Sequence, residues 1–277
     1  MKSFAIIVIL ISLFWSCKQD EIITPVYRLK NCAIEYLNFL DDHKYLNNSS
    51  LNFPANEALK TVITFEYNNN KVIQSTGGFI NAPSGMNLTN LIFSTDVYDS
   101  IVYRENEILV YTKPNVFYHP SISPQENRQN PTSYTLDEDG RLIRILRRDS
   151  LLISYFYSDN LIVEKNSDNK ILRNFYFENE NLIKVTTEYG DSTDSYYYKK
   201  EINFQEFDTN PNPLKGQYHL TGAFYRAFST NNYSDYTIIE YMKMDDGKIG
   251  KIGTYLYSMP ITYTNEGYPK FGDYDLY

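Results

Sequence analysis

The chain of 277 residues is poor in the residue types from which most active sites are built. It has two cysteines, Cys17 and Cys32, too few for a disulfide framework or a cysteine-rich zinc site. Its three histidines are His43, His119 and His219, and no two stand at metal-ligand spacing. There is no GxSxG elbow, no Walker A loop and no HExxH helix. Basic charge is also short, with 26 Lys+Arg against 34 Asp+Glu, a formal charge of −8. That balance excludes a duplex nucleic-acid binder, which needs basic surface to neutralise phosphates. Glycine is scarce through the middle of the chain, where Gly140 stands alone between residues 86 and 189. Trp15 is the only tryptophan. At 42% hydrophobic and 22% charged, the chain is nonetheless no disordered polymer, and its length is ample for a core.

What is abundant is tyrosine, 27 residues, with 16 phenylalanines beside it. Many fall in a regular pattern. From Tyr134 to Asp208, β-favouring runs alternate with turn clusters about every ten residues. The runs are Arg141–Arg148, Leu151–Tyr157, Leu161–Asn166, Ile171–Phe177, Leu182–Tyr189 and Ser195–Phe207. Asn and Asp fill the breaks, because they tolerate left-handed backbone and can bond their own turns in place of glycine. Aromatic triplets recur at a period of about twenty-one residues, one β-hairpin per unit, as at Tyr155-Phe156-Tyr157, Phe175-Tyr176-Phe177 and Tyr196-Tyr197-Tyr198. Looser copies start at Phe65, Val102 and Ile261. Short connections make antiparallel meander pairing the default. The expected fold is all-β: a long antiparallel meander of hairpin repeats curled into an open roll or barrel-like sheet. Apolar residues on both parities of Leu151–Tyr157 lead us to expect that parts of both sheet faces are covered.

Two proline-rich stretches interrupt the pattern. Tyr111–Ser133 reads as a long loop, and Asp208–Gly216 as a crossover. Ile34–Leu46 fits a helix or, equally, a first strand around Cys32–Phe39.

The N-terminus has the pattern of an export signal. Lys2 is followed by an apolar run from Phe4 to Trp15, about 18 Å as a helix and too short to cross a bilayer core of about 30 Å. We expect residues 1–16 to be a signal peptide, 17–25 a lipidated tether and 26–277 a single all-β domain. Leu13-Phe14-Trp15-Ser16-Cys17 resembles a bacterial lipoprotein cleavage site, which implies lipid on Cys17 and stable anchoring to the outer membrane. Lys18-Gln19-Asp20-Glu21 resembles the charged surface-export tags of Bacteroidota lipoproteins. Cleavage would leave 277 − 16 = 261 residues, without Lys2 and Trp15 and at a charge of −9.

Tyr134–Leu146 and Phe175–Val185 resemble the tyrosine-aspartate repeats of Rhs-like proteins. The region 60–270 is similar to a family of Bacteroidota lipoproteins of unknown function. The similarity rests on the lipid cysteine, the hairpin repeats, Phe207-Asp208-Thr209-Asn210-Pro211-Asn212-Pro213-Leu214-Lys215-Gly216, Phe228-Ser229-Thr230-Asn231-Asn232 and Tyr263-Thr264-Asn265-Glu266-Gly267-Tyr268-Pro269. That resemblance implies a large curled antiparallel sheet and transfers no catalytic residue.

Neither acidic turn makes a calcium loop. In Asp137-Glu138-Asp139-Gly140 the EF-hand register puts Thr135 and Leu146 at ligand positions, and Asp245-Asp246-Gly247 fails the same way. Asp99-Ser100-Ile101, Asp149-Ser150-Leu151 and Asp191-Ser192-Thr193 resemble the short O-glycan acceptor sequence of Bacteroidota envelope proteins and read as turns. We therefore expect no catalytic residues, no metal and no cofactor. The expected role is a non-catalytic binding or structural module of the cell envelope, with an unknown protein or glycan as partner. The alternatives are a glycan-binding accessory in polysaccharide uptake, through amphipathic tyrosine faces, and a hydrolase with two acids drawn from distant strands.

Overall fold

The structure is a computed structural model that describes residues 27–38, 61–84, 88–113, 131–147, 150–190 and 196–276. The signal segment, Cys17, the tag Lys18–Glu21 and most of the Tyr111–Ser133 stretch lie outside these residues.

Sixteen strands are present: β1 (Tyr27–Leu29), β2 (Asn31–Ala33), β3 (Val62–Asn68), β4 (Lys71–Ser84), β5 (Leu88–Tyr103), β6 (Glu107–Lys113), β7 (Thr132–Leu136), β8 (Leu142–Leu146), β9 (Leu152–Ser158), β10 (Leu161–Asn166), β11 (Ile171–Glu178), β12 (Asn181–Tyr189), β13 (Tyr198–Phe207), β14 (Tyr233–Lys243), β15 (Ile249–Ser258) and β16 (Tyr274–Leu276). Strands β2 to β15 form one 14-stranded antiparallel sheet in strict chain order, the expected meander. β1 pairs with β16 as a separate ribbon. Of the helix-or-strand alternatives at 34–46 and 32–39, residues 39–46 lie outside the described residues, and up to Asn38 neither a helix nor a long strand is present. β2 spans three residues, and a single 3-10 turn follows at Ile34–Tyr36.

The turns obey one backbone rule. At Arg147–Ser150, Asp137–Gly140, Asn166–Asn169, Met244–Gly247 and Thr264–Gly267 the N–H of the fourth residue donates to the carbonyl of the first. That fourth residue has positive φ in every case: Ser150, Gly140, Asn169, Gly247 and Gly267. The leading side chain caps the turn. Asp137 Oδ1 accepts from the N–H of Asp139 and Arg141, and Asn166 Oδ1 accepts from Asp168 and Lys170. Asn69-Asn70 and Asn179-Glu180 instead supply consecutive left-handed residues, the requirement of a two-residue hairpin turn.

One face of the sheet is dry. Its side chains form straight cross-strand rows, one of which runs Ile162, Phe175, Val185, Ile202, Ile238 and Tyr255 across β10 to β15. The cover on this face is residues 208–232, which carry no strand. They include Leu214, Leu220, Ala223, Phe224, Tyr225, Ala227 and Phe228, all buried. This corrects the expected crossover. The chain leaves β13, folds over the dry face and returns as β14 directly beside β13, with Phe207 opposite Tyr233. Tyr155, Phe175, Phe224 and Phe228 meet there at ring-centroid distances of 5.1–6.4 Å.

The sheet curls so that its two ends share partners. The N–H of Lys30 and of Ala33 reach Asp273 and Phe271 in the C-terminal segment. Arg226, buried, donates to the carbonyls of Tyr36 near the first edge and Tyr233 in β14. Its guanidinium also lies over the Tyr233 ring at 4.0 Å and the Phe271 ring at 4.8 Å.

The other face is the wetter one, but parts of it are covered, as expected: Leu109, Ser133 and Thr186 on it are buried. Phe156 is 52% exposed. Lysine ammonium groups lie over its rings: Lys165 Nζ over Phe156 at 5.1 Å and Lys184 Nζ over Tyr176 at 4.5 Å. Cross-strand neighbours on this face include Thr186 and Glu201, with Lys199 paired to Glu201 at 2.7 Å.

Candidate functional site

Glu164 and Arg173 face each other across β10 and β11, both buried, with nitrogen-to-oxygen contacts of 2.8 and 2.6 Å. Tyr155 donates to Glu164 at 2.7 Å, and Arg173 donates to the Tyr225 hydroxyl at 3.0 Å. Burial works against the Arg173 charge, but Glu164 beside it outweighs that and holds the guanidinium firmly protonated. Burial, then Glu164, keeps the Tyr155 phenol neutral well beyond its ordinary range. The four groups are enclosed in the core and spend their bonds on one another, so the cluster ties the sheet to its cover. It is one carboxylate with one cation, not a pair of acids facing a cleft.

A second buried acid is Asp99 on β5, which accepts from Thr112 and from Thr221 of the cover. Asp99-Ser100-Ile101 therefore lies within a strand, with its aspartate enclosed, and is not a surface turn. Residues 191–195 and 149 are outside the described residues. His219, buried, meets the Tyr103 hydroxyl at 2.9 Å. Cys32 is enclosed, and burial pushes its thiol up to about 12, so it is a small core residue. Among the described residues no group of three or more His, Cys, Asp or Glu side chains is placed to hold a metal.

Among the described residues, two places stand open to a ligand. The first is where the cover stops short on the dry face of β12 to β15. There the cross-strand row continues as Tyr189, Tyr198, Met242 and Gly250. The next row is Thr187, Lys200, Glu240 and Gly253. Tyr255 and Tyr257 complete the patch, with Tyr257 stacked on Tyr236 at 4.5 Å and 10°. Tyr189 is 50% and Tyr255 49% exposed, although both lie on the face that is core a few residues away. Tyr198 donates to Glu240 at 2.6 Å, which fixes its ring. Gly253 leaves room for the Tyr255 ring to fold over its backbone, since a Cβ there would stand 3.0 Å from it. The patch is flat, aromatic and bordered by hydrogen-bonding groups.

The second is a cavity of about 190 Å³ where β1, the β3–β4 hairpin and the cover meet. Phe65, Val72, Leu214 and Leu220 form its apolar floor, and Arg28, Tyr67, Asn70, Gln217 and Tyr268 its polar rim.

No family model matches the chain, and no curated protein matches it. Among solved structures it is similar to a porin-like protein from Bacteroides vulgatus, at 12% identity and a TM-score of 0.34, over 76% of this chain and 84% of that one. A porin-like protein from Bacteroides uniformis is similar at 11% identity and a TM-score of 0.37, over 78% of this chain and 90% of that one.

Sequence reasoning pointed to tyrosine as the functional lead but did not separate the open tyrosines from the core ones. Tyr155 and Tyr233 are buried on strands of the same dry face that leaves Tyr189 and Tyr255 exposed. Where the cover ends decides which are which, and no local pattern encodes that.

Proposed function

We propose that the protein is a lipid-anchored envelope protein whose β-domain binds a neutral polysaccharide segment without acting on it. The observation that carries this reading is the uncovered tyrosine patch of β12 to β15. Sugar rings offer apolar C–H faces and hydroxyl edges, which suit tyrosine faces bordered by Glu240, Lys200 and Thr187. Apolar aromatic surface left open at the end of a dry face is costly unless something covers it in use. The non-catalytic part is supported by the two buried acids. Glu164 is held by Arg173 and Asp99 by hydroxyls, so neither faces the patch as a free acid. The anchor is supported by the apolar run before Cys17, and the outer membrane is the destination such a lipid implies.

Two assays test the reading. Labelled palmitate is expected on the wild-type chain and not on Cys17→Ala, and equal labelling of both would remove the anchor. On an array of neutral glycans the full chain is expected to bind. Tyr189→Ala and Tyr255→Ala, at exposed positions and folding normally, are each expected to weaken binding about fivefold to a hundredfold, the range for loss of one stacking surface. An array without binding, or variants that bind as the wild type, would remove the glycan reading.

A further inference from the structure

We infer that the open edge of β15 pairs with the same strand of a second copy of this chain, antiparallel and across a two-fold axis at Leu256. The two edges of the sheet are finished differently. At the first, the carbonyls of Asp273 and Phe271 take up the N–H groups of Lys30 and Ala33. At the last, every residue from Thr254 to Ser258 is exposed, Leu256 at 81%. The first edge meets this strand only beyond its end, where the Tyr36 hydroxyl donates to the Pro260 carbonyl at 3.3 Å. The backbone of the open stretch has a definite register. The Met259 N–H donates to the Ser234 carbonyl, and these two residues continue the register that sets Ser258 opposite Asp235. Bonded and unbonded pairs alternate along an antiparallel ladder. Tyr257, Tyr255 and Gly253 therefore turn their N–H and carbonyl groups toward β14, and Ser258, Leu256 and Thr254 turn theirs outward. Among the described residues no other segment bonds to these outward groups.

Exposed edges are usually blunted by lysine, proline or a β-bulge. β15 carries such devices only in its first half, as Lys251 and a bulge in which Ile252 is the extra residue between the partners of Glu240 and Tyr241. The half from Thr254 to Ser258 has no charge and no proline. It is also complementary to itself. With the axis at Leu256, that side chain meets its own copy on the wetter face, and Thr254 meets Ser258 of the second copy on either side. On the dry face Tyr255 stands opposite Tyr257 of the second copy in an unbonded pair, where side chains come closest. The three outward residues gain bonded partners, about six backbone hydrogen bonds in all. Lys251 and its copy lie at opposite ends of the pairing, so no like charges face each other. A strand of unrelated sequence would match the backbone but not these side-chain pairs. The pairing joins two tyrosine patches across the axis, but it needs no glycan, and either proposal can fail without the other.

The test uses the full chain carrying Cys17→Ala, in which the enclosed Cys32 is the remaining thiol. Sedimentation at about 1 to 100 µM is expected to show a monomer–dimer equilibrium. Leu256→Lys, at an exposed position, sets two like charges against each other at the axis. It is expected to raise the dissociation constant about tenfold or more with an unchanged melting curve. Under mild oxidation Leu256→Cys is expected to link to its own copy, because bonded antiparallel residues stand about 5.5 Å apart at Cα, within disulfide reach. Thr254→Cys is expected not to link to its own copy and to link when mixed with Ser258→Cys. A monomer throughout that range, a Leu256→Lys variant that dimerises as its parent does, or Thr254→Cys linking to itself as readily as Leu256→Cys would overturn the proposal.

Discussion

At the scale of single residues, tyrosine does two jobs in this protein. On the dry face it is a core residue whose hydroxyl must find a partner, as Tyr155 does at Glu164 and Tyr157 at the Leu142 carbonyl. Burial raises the phenols of Tyr218 and Tyr263 to about 12, Tyr263 with Asp208 also pressing on its hydroxyl. Burial raises Tyr233 as well. Unfolded tyrosines titrate near 10, so above that pH the unfolded chain gives up protons that the native state keeps. Stability from these groups is full below about pH 10 and is lost as the pH rises toward 12. Tyr218 alone is expected to cost about 1.4 kcal/mol by pH 11. Urea midpoints near pH 9 and pH 11, followed by tyrosinate absorbance, check this. The expected result is a lower midpoint at pH 11 and tyrosinate appearing together with unfolding.

At the scale of elements, the hairpins were the legible part. The runs expected at Leu151–Tyr157 and Leu161–Asn166 are β9 and β10 to within a residue, because turn chemistry punctuates the chain there. Asp137–Gly140 and Asp245–Gly247 are hairpin turns, as the failed calcium registers implied. The cover was not legible. Its prolines announced a departure from the sheet, but a segment without periodicity says nothing of where it packs. Its scaffold is a set of asparagines. Asn212 donates to the carbonyls of Arg226 and Ser229 at 2.7 and 2.9 Å and accepts from the Leu214 N–H at 2.9 Å. Asn232 donates to Asp208 through its backbone and its side chain, both at 2.9 Å. These residues sit in two of the three segments, the one ending at Gly216 and Phe228–Asn232, on which the expected resemblance to Bacteroidota lipoproteins rests. The distinctive sequence is thus the scaffold of the cover. Asn212→Ala removes three buried hydrogen bonds, to the Arg226 and Ser229 carbonyls and from the Leu214 N–H, and is expected to cost about 2–4 kcal/mol. Chemical denaturation is the check, and a loss under about 0.5 kcal/mol, the noise of an ordinary surface change, would contradict this role.

At the scale of the whole molecule, a meander of 14 strands is wrapped on a segment of its own chain, and its edges are drawn together through Arg226 and the C-terminal residues. The described part of the sheet is dry inside and carries Lys184, Lys199 and Glu201 outside. A strand crossing a membrane would put its apolar side chains outward. That polarity is what the proposed lipid-anchored domain, held in water, requires of the described strands. Open tyrosines on the inner face, past the end of the cover, are the surface to which the proposed binding is assigned. Candidate sites of this kind are hidden from sequence, because Tyr189 in β12 and Tyr255 in β15 become neighbours only through β13 and β14. The most direct measurement is the NMR spectrum of the full chain labelled at tyrosine, titrated with a glycan that the array identifies. The account predicts shifts confined to Tyr189, Tyr198, Tyr255 and Tyr257. Shifts spread over buried tyrosines, or confined to tyrosines on the wet face such as Tyr176, would contradict it.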